Sequence, residues 1–298
     1  DSLVHFLELN PNMPDKLRRV LNDSKLSGNL EDLIVQINKS IENEWFWRSQ
    51  MEFKGLAMKS WNESSAIANA SGWLRISPKT IAVMIDSEDL LVWFPKVYES
   101  PLKYDSLQAS AYITWDNDKV FVSSKEFTAV GPEGSFVGSF DLDVVEVNES
   151  LETVLELEIG VRDADLAYLA KYLPMNLPTS TKNWLLGSVQ GGDIDDLGFV
   201  LHGNLKREMH EQRTMQLFAN FSKTDVKFHP DWPKTKDLSG LLILNDKDVS
   251  VWVEEGSFGD VDLNFLSAEL FSDIDTGFQV EVGASSESDA KSVFSLIN

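Results

Sequence analysis

Residues 155–162 read Leu155-Glu156-Leu157-Glu158-Ile159-Gly160-Val161-Arg162, apolar at every odd position and charged or glycine between. A period of two over that length belongs to a strand with one apolar and one wet face, because successive side chains on an extended backbone point to opposite sides. The same alternation recurs on both sides of this stretch. Trp45, Trp47, Met51 and Phe53 alternate with Arg48, Gln50, Glu52 and Lys54. Met215, Leu217, Ala219 and Phe221 oppose Gln216, Asn220 and Ser222. Val249, Val251 and Val253, then Phe278, Val280 and Val282, repeat the pattern. Turn-forming runs separate the strands: Asp116-Asn117-Asp118, Gly131-Pro132-Glu133-Gly134 and Asn245-Asp246-Lys247-Asp248. The chain predicts a long antiparallel meander.

Helical spacing is confined to short stretches. Met13, Leu17, Val20 and Leu21 share one face after Pro14, with Gly28 following. Leu166, Leu169, Ala170 and Leu173 follow Asp163, a good N-cap, and the run stops at Pro174. Val293, Phe294 and Ile297 form a third pattern after Ser288.

The chain also repeats itself. With an offset of 164, residues 9–35 align without a gap on 173–199. Leu9, Asn12, Pro14, Leu21, Ser24, Gly28, Asp32 and Leu33 then fall on Leu173, Asn176, Pro178, Leu185, Ser188, Gly192, Asp196 and Leu197. Each unit reads as short helices, a glycine-led strand and several further strands. The predicted organisation is a first helix-led repeat over 1–162, a second over 163–286 and the start of a third over 287–298. Tandem units of supersecondary size signal an elongated array rather than a globular enzyme. On alternation alone a closed sandwich stays open as the alternative.

Composition narrows the function. The 298 residues carry 26 Lys+Arg against 48 Asp+Glu, a net charge of -22 and a pI near 4.5. Such a field repels phosphate backbones and argues against docking on an anionic leaflet. With no cysteine, disulfide frameworks, Cys-ligated zinc, Fe–S clusters and thiol catalysis are all removed. No apolar run approaches the ~18–20 residues of a membrane helix. The chain opens at Asp1 without a signal peptide and ends on apolar residues, so both ends are expected to continue into a longer protein.

Several motifs together resemble the YhdP branch of the AsmA-like proteins. They are Tyr172-Leu173-Pro174-Met175-Asn176-Leu177-Pro178, then Trp184-Leu185, Gly191-Gly192 and Gly203-Asn204-Leu205. Phe228-His229-Pro230-Asp231-Trp232-Pro233 followed by Leu238-Ser239-Gly240 resembles that family's Trp-Pro segment. In the first repeat Trp61 to Gly72, Val92-Trp93-Phe94-Pro95, Pro101-Leu102 and Leu107 to Trp115 read the same way. The resemblance implies a fold that is mainly β with short helices: an elongated, curved antiparallel sheet, an open β-groove built from tandem repeats. It implies an envelope protein of Gram-negative bacteria, anchored in the inner membrane outside the residues given. Its periplasmic groove would carry phospholipid acyl chains between inner and outer membrane. The resemblance brings no catalytic residue, metal or cofactor. The strand positions that would line the groove are Leu155, Leu157, Ile159, Met215, Leu217, Phe221, Val249, Val251, Val253, Val280 and Val282.

Two other readings compete: an envelope scaffold that binds proteins without moving lipid, and a carbohydrate-active β-domain. Nine Trp and the pairs Glu156/Glu158, Glu254/Glu255 and Asp195/Asp196 invite the second, since sugars stack on aromatic rings and two carboxylates perform glycoside hydrolysis. In so acidic a chain such pairs are ordinarily the solvated face of a strand or turn. Trp45, Trp47 and Trp252 are expected at the apolar face or its rim. His5, His202, His210 and His229 show no metal spacing, and Asp273-Ile274-Asp275-Thr276-Gly277 has its glycine one place early for an EF-hand loop.

Overall fold

A computed structural model of the chain describes residues 10, 12–40, 45–60, 65–116, 119–147, 150–206, 212–273 and 277–286. The predicted third pattern over 287–298 therefore lies outside the described residues. Fourteen antiparallel strands form one open sheet, not closed into a barrel, in the order in which they occur along the chain. They are β1 Ser27–Lys39, β2 Trp45–Met58, β3 Ala66–Ser77, β4 Thr80–Trp93, β5 Leu102–Asp116, β6 Lys119–Gly131 and β7 Gly134–Val147. Then follow β8 Ser150–Asp165, β9 Val189–Asn204, β10 Arg213–Val226, β11 Thr235–Asn245, β12 Asp248–Phe258, β13 Val261–Asp273 and β14 Gly277–Ser286. Among the described residues the helices are α1 Asp15–Asp23, α2 Leu169–Tyr172 and α3 Thr179–Ser188.

Local chemistry explains where the helices begin. Pro14, whose ring fixes φ, precedes α1 and accepts the N–H of Arg18 at 3.1 Å, and Asp15 opens the helix where its dipole favours an acid. The helical turn after β8 starts two residues later than the sequence suggests. Asp163 lies inside β8 with φ +52°, and the cap is Asp165, whose side chain accepts the N–H of Ala167 at 2.7 Å. That cap opens a short 3-10 turn over Leu166–Tyr168, and α2 follows it directly. Spacing of apolar residues does not reveal α3, but the offset of 164 does, since it carries α1 onto residues 179–187.

The residues group into two compact units. The first comprises Asp1–Pro132, Val137–Leu157 and Gly203–Arg213. Its core gathers Met51, Phe53, Ala70, Leu74, Ile76, Ile81, Leu90 and Trp115 from the sheet around Met13, which precedes α1. The second comprises Glu133–Phe136, Glu158–His202 and Thr214–Asn298, with a smaller core of Val226, Leu238, Val253 and Leu263.

Bulges interrupt the pleat within the strands. Asp32, Gly55, Asn69, Asp89, Lys223 and Asp237 all adopt positive φ, near +50° to +63°. An extra residue in a strand bends it and resets which side chains face the core. On β4, Ile81, Val83 and Ile85 face inward before the bulge at Asp89, and Leu90 and Val92 join the same core after it.

Candidate functional site

Directly opposed residues on neighbouring strands share a face of the sheet, so register alone assembles a surface. In the second unit Leu217, Leu244, Val249, Leu270 and Val280 are opposed in turn across β10 to β14. The next row is Ala219, Leu242, Val251, Ala268 and Val282. A third runs through Phe221, Gly240, Val253, Leu266 and Ala284. Every one of these fifteen positions is apolar or glycine. The rows are not uniformly covered. Val253 is 1% exposed within the small core, whereas Leu217, Leu242, Leu244, Val249 and Leu270 are half-buried and Val282 is 58% exposed.

Seven of the residues picked from the sequence thus share one face: Leu217, Phe221, Val249, Val251, Val253, Val280 and Val282. Met215 lies one pleat beyond Leu217 on β10, half-buried. Leu155, Leu157 and Ile159 are half-buried on β8, outside these rows, and alternate with exposed Glu156 and Glu158. Sequence reasoning missed Leu242 and Leu244, because the near-continuous apolar run of Leu241-Leu242-Ile243-Leu244 hides its alternation, and Leu266 and Leu270, because β13 changes phase at the register shift between Leu263 and Phe265.

The reverse of this unit is mixed. Phe218, Ile243, Ser250, Glu269 and Glu281 are opposed across it, and Trp252 lies there between Leu241 and Ser267, away from the apolar rows. Asn220 donates to Asp196 at 2.6 Å and Ser222 to Asp195 at 2.9 Å.

The first unit has a comparable apolar face. Ser49, Ile76, Ile81, Ile113 and Val122 form one row, and Phe53, Gly72, Ile85, Ala109 and Phe127 another. Met51, Leu74, Val83 and Ala111 lie between them. Here the face is covered: Met13 and, from α1, Leu17 pack on it, and Ile76 is 0% exposed. Trp47 lies on this face opposite Ile37, and Trp45, 68% exposed, stands at its rim with Lys39 5.1 Å from its ring. The reverse carries Arg75 bonded to Gln50 at 3.2 Å, Lys54 to Glu31 at 2.8 Å and Gln108 to Asp86 at 3.2 Å.

The carboxylate pairs do not converge on a cleft. Glu156, Glu158, Glu254 and Glu255 are exposed on their strands, and Asp195 and Asp196 are held by the bonds to Ser222 and Asn220. His202 and His229 are exposed, and His5 and His210 lie outside the described residues. Among the described residues no group of three His, Asp or Glu gathers as a metal site. Among them, too, no helix is long and apolar enough to cross a membrane.

The family model of the YhdP protein matches residues 1–298, the whole chain. The chain belongs to the YhdP family. No curated protein matches it, and no solved structure does. YhdP membership suggests a lipid-transport-related protein of the cell envelope, a family of non-enzymatic type.

Proposed function

We propose that the chain is a non-catalytic segment of a periplasmic, inner-membrane-anchored bridge that carries phospholipid between inner and outer membrane, acyl chains lying on the apolar rows. The observation that carries this reading is the unbroken apolar register across β10 to β14, left half-exposed. Five strands at ~4.8 Å spacing give each row a length of about 19 Å, and three rows at ~6.7 Å separation give a width of about 13 Å. A bilayer leaflet offers one acyl chain about 15 Å of hydrocarbon depth. One or two chains fit on that surface. Each methylene kept from water is worth about 0.8 kcal/mol, so the surface removes most of the cost of moving a chain between membranes.

The test is lipid mass spectrometry on the natively extracted chain, followed by incubation with labelled phospholipid. Leu217→Glu puts a carboxylate where acyl chains lie and abolishes binding, while Gln216→Glu, on the opposite face, leaves it intact. Recovery of no acyl lipid in either experiment would overturn the reading and favour a protein-binding scaffold.

A further inference from the structure

The two repeats differ in what their leading helices do. With the offset of 164, α1 falls on α3, Met13 on Leu177 and Leu17 on Thr181. The joint after each helix is the same. Ser24 accepts the backbone N–H of Lys59 at 2.8 Å, and Ser188 that of Lys227 at 2.8 Å. Gly28 and Gly192 follow with φ +142° and +132°, packed against the backbone of Leu56 and Thr224. Both helices therefore lead into their first strand through a matching joint. What differs is the surface each helix offers.

In the first unit Met13 and Leu17 pack on the apolar face among Met51, Leu74, Ile76 and Trp115. In the second unit no residue of α3 is among the described core residues; Trp184 donates to the carbonyl of Phe228 at 3.2 Å, and Trp184 and Leu186 are 47% and 42% exposed. Thr181 stands where α1 has the apolar Leu17. Hydrogen bonds also join the residues before α1 to the sheet. Asn10 donates to the carbonyl of Pro78 at 3.2 Å, and the Trp115 indole donates to the carbonyl of Asn12 at 2.5 Å. Nine residues of helix span about 13.5 Å, close to the length of one acyl chain in a leaflet.

We propose that the face beneath α1 is a second acyl-chain site, with α1 as its built-in, displaceable occupant. This rests on the lipid-carrying reading of the open face. This second site is closed by Met13 and Leu17 until a chain takes their place, whereas the β10 to β14 face stands open, with Thr181 where α1 has the apolar Leu17.

The absence of cysteine allows single-thiol reporters in the full chain. Met13→Cys reports on the covering segment and Val251→Cys on the open face, each read by its rate of maleimide labelling. The probe is a monomeric lysophosphatidylcholine. Without lipid, Met13→Cys reacts at least about tenfold more slowly than Val251→Cys, because its thiol is reached only when the segment opens. Adding lipid slows Val251→Cys and speeds Met13→Cys by a similar factor. Protection of Val251→Cys with no change at Met13→Cys overturns the displaceable helix and leaves the open trough standing. No effect at either position overturns both. Leu17→Thr, which copies α3, makes Met13→Cys fast without lipid, and persisting protection in that variant overturns the proposal. If Met13→Cys fails to fold, Leu17→Cys serves as the reporter, and the same lipid response decides.

Discussion

Glu133, 2% exposed in the turn between β6 and β7, receives the ammonium of Lys171 at 2.5 Å and so ties α2 to the sheet. Tyr172 donates to the same oxygen, and its ring lies 5.5 Å from that of Phe136. Burial pushes the Glu133 carboxyl up. The hydrogen bonds from Lys171, Tyr172 and the backbone, with the charge of Lys171, outweigh it and hold the group below its ordinary 4.5. A carboxyl depressed in the folded state adds stability that is present above the unfolded value and is lost as pH falls through the folded one. Melting of the native chain should therefore drop on acidification below about 4.5, beyond the loss from its other carboxylates. Glu133→Gln should cost about 1–3 kcal/mol at neutral pH, the range for a buried bond to a charged group, and shrink that acid-dependent drop. Melting curves that stay parallel across pH would refute the pin.

Gly192 has no room for a side chain: a Cβ would come 2.6 Å from the Cα of Thr224, at φ +132°. Gly28 repeats this, 2.8 Å from the Cα of Leu56 at φ +142°. Alanine at either position should cost about 1–3 kcal/mol in backbone strain. Gly187→Ala in α3 meets open space and should stabilise by up to about 1 kcal/mol through helix propensity. Thermal unfolding of the three variants separates the outcomes, and equal shifts at 187 and 192 would refute the account of the joint.

The rows of the apolar face were legible in part. Alternation identified Leu217, Val249, Val251 and Val280, because those stretches keep a single phase. It failed where a bulge changes phase: Phe53 and Leu56 both pack on the first core, three positions apart, with Gly55 at φ +60° between them. The hint was present, since Gly, Asn or Asp stands at most such breaks, but a positive φ cannot be read from composition. The covering of one face and not the other was hidden for a different reason. The 164 offset reveals that α1 and α3 correspond, but only Leu21/Leu185 is identical across the nine aligned helix positions, and which helix docks is not written in either segment. The register of strands more than a hundred residues from the helix that covers them is a tertiary fact.

Val253 and Leu217 mark the sealed core and the half-open surface of the same face. Val253, 1% exposed, packs with Val226, Leu238 and Leu263, so Val253→Asp buries an unpaired charge and should cost about 4–5 kcal/mol, enough to unfold the unit. Leu217 is half-buried between β10 and β11, where water reaches a new carboxylate. Leu217→Glu should cost nearer 1 kcal/mol. Circular dichroism melts of the two variants give the comparison, and unfolding by both would mean that Leu217 belongs to a sealed core.

The strand order ends at β1, which pairs with β2 on one side only among the described residues. Its Leu33, Ile34, Val35 and Ile37 are 55%, 54%, 47% and 66% exposed, an apolar surface along an open backbone edge. Such an edge pairs with other strands unless charge prevents it. The net charge of -22 keeps copies apart at low ionic strength, where the screening length is about 30 Å in 0.01 M salt. At 1 M it shrinks to about 3 Å and the repulsion disappears, so the weight-average mass in sedimentation should rise with salt. Ile37→Lys places a charge in the exposed row, opposite Trp47, and should hold the chain monomeric at the same salt. A mass that does not respond to salt would show that the edge is blocked. A mass that rises equally in Ile37→Lys would place the association on another surface of the sheet.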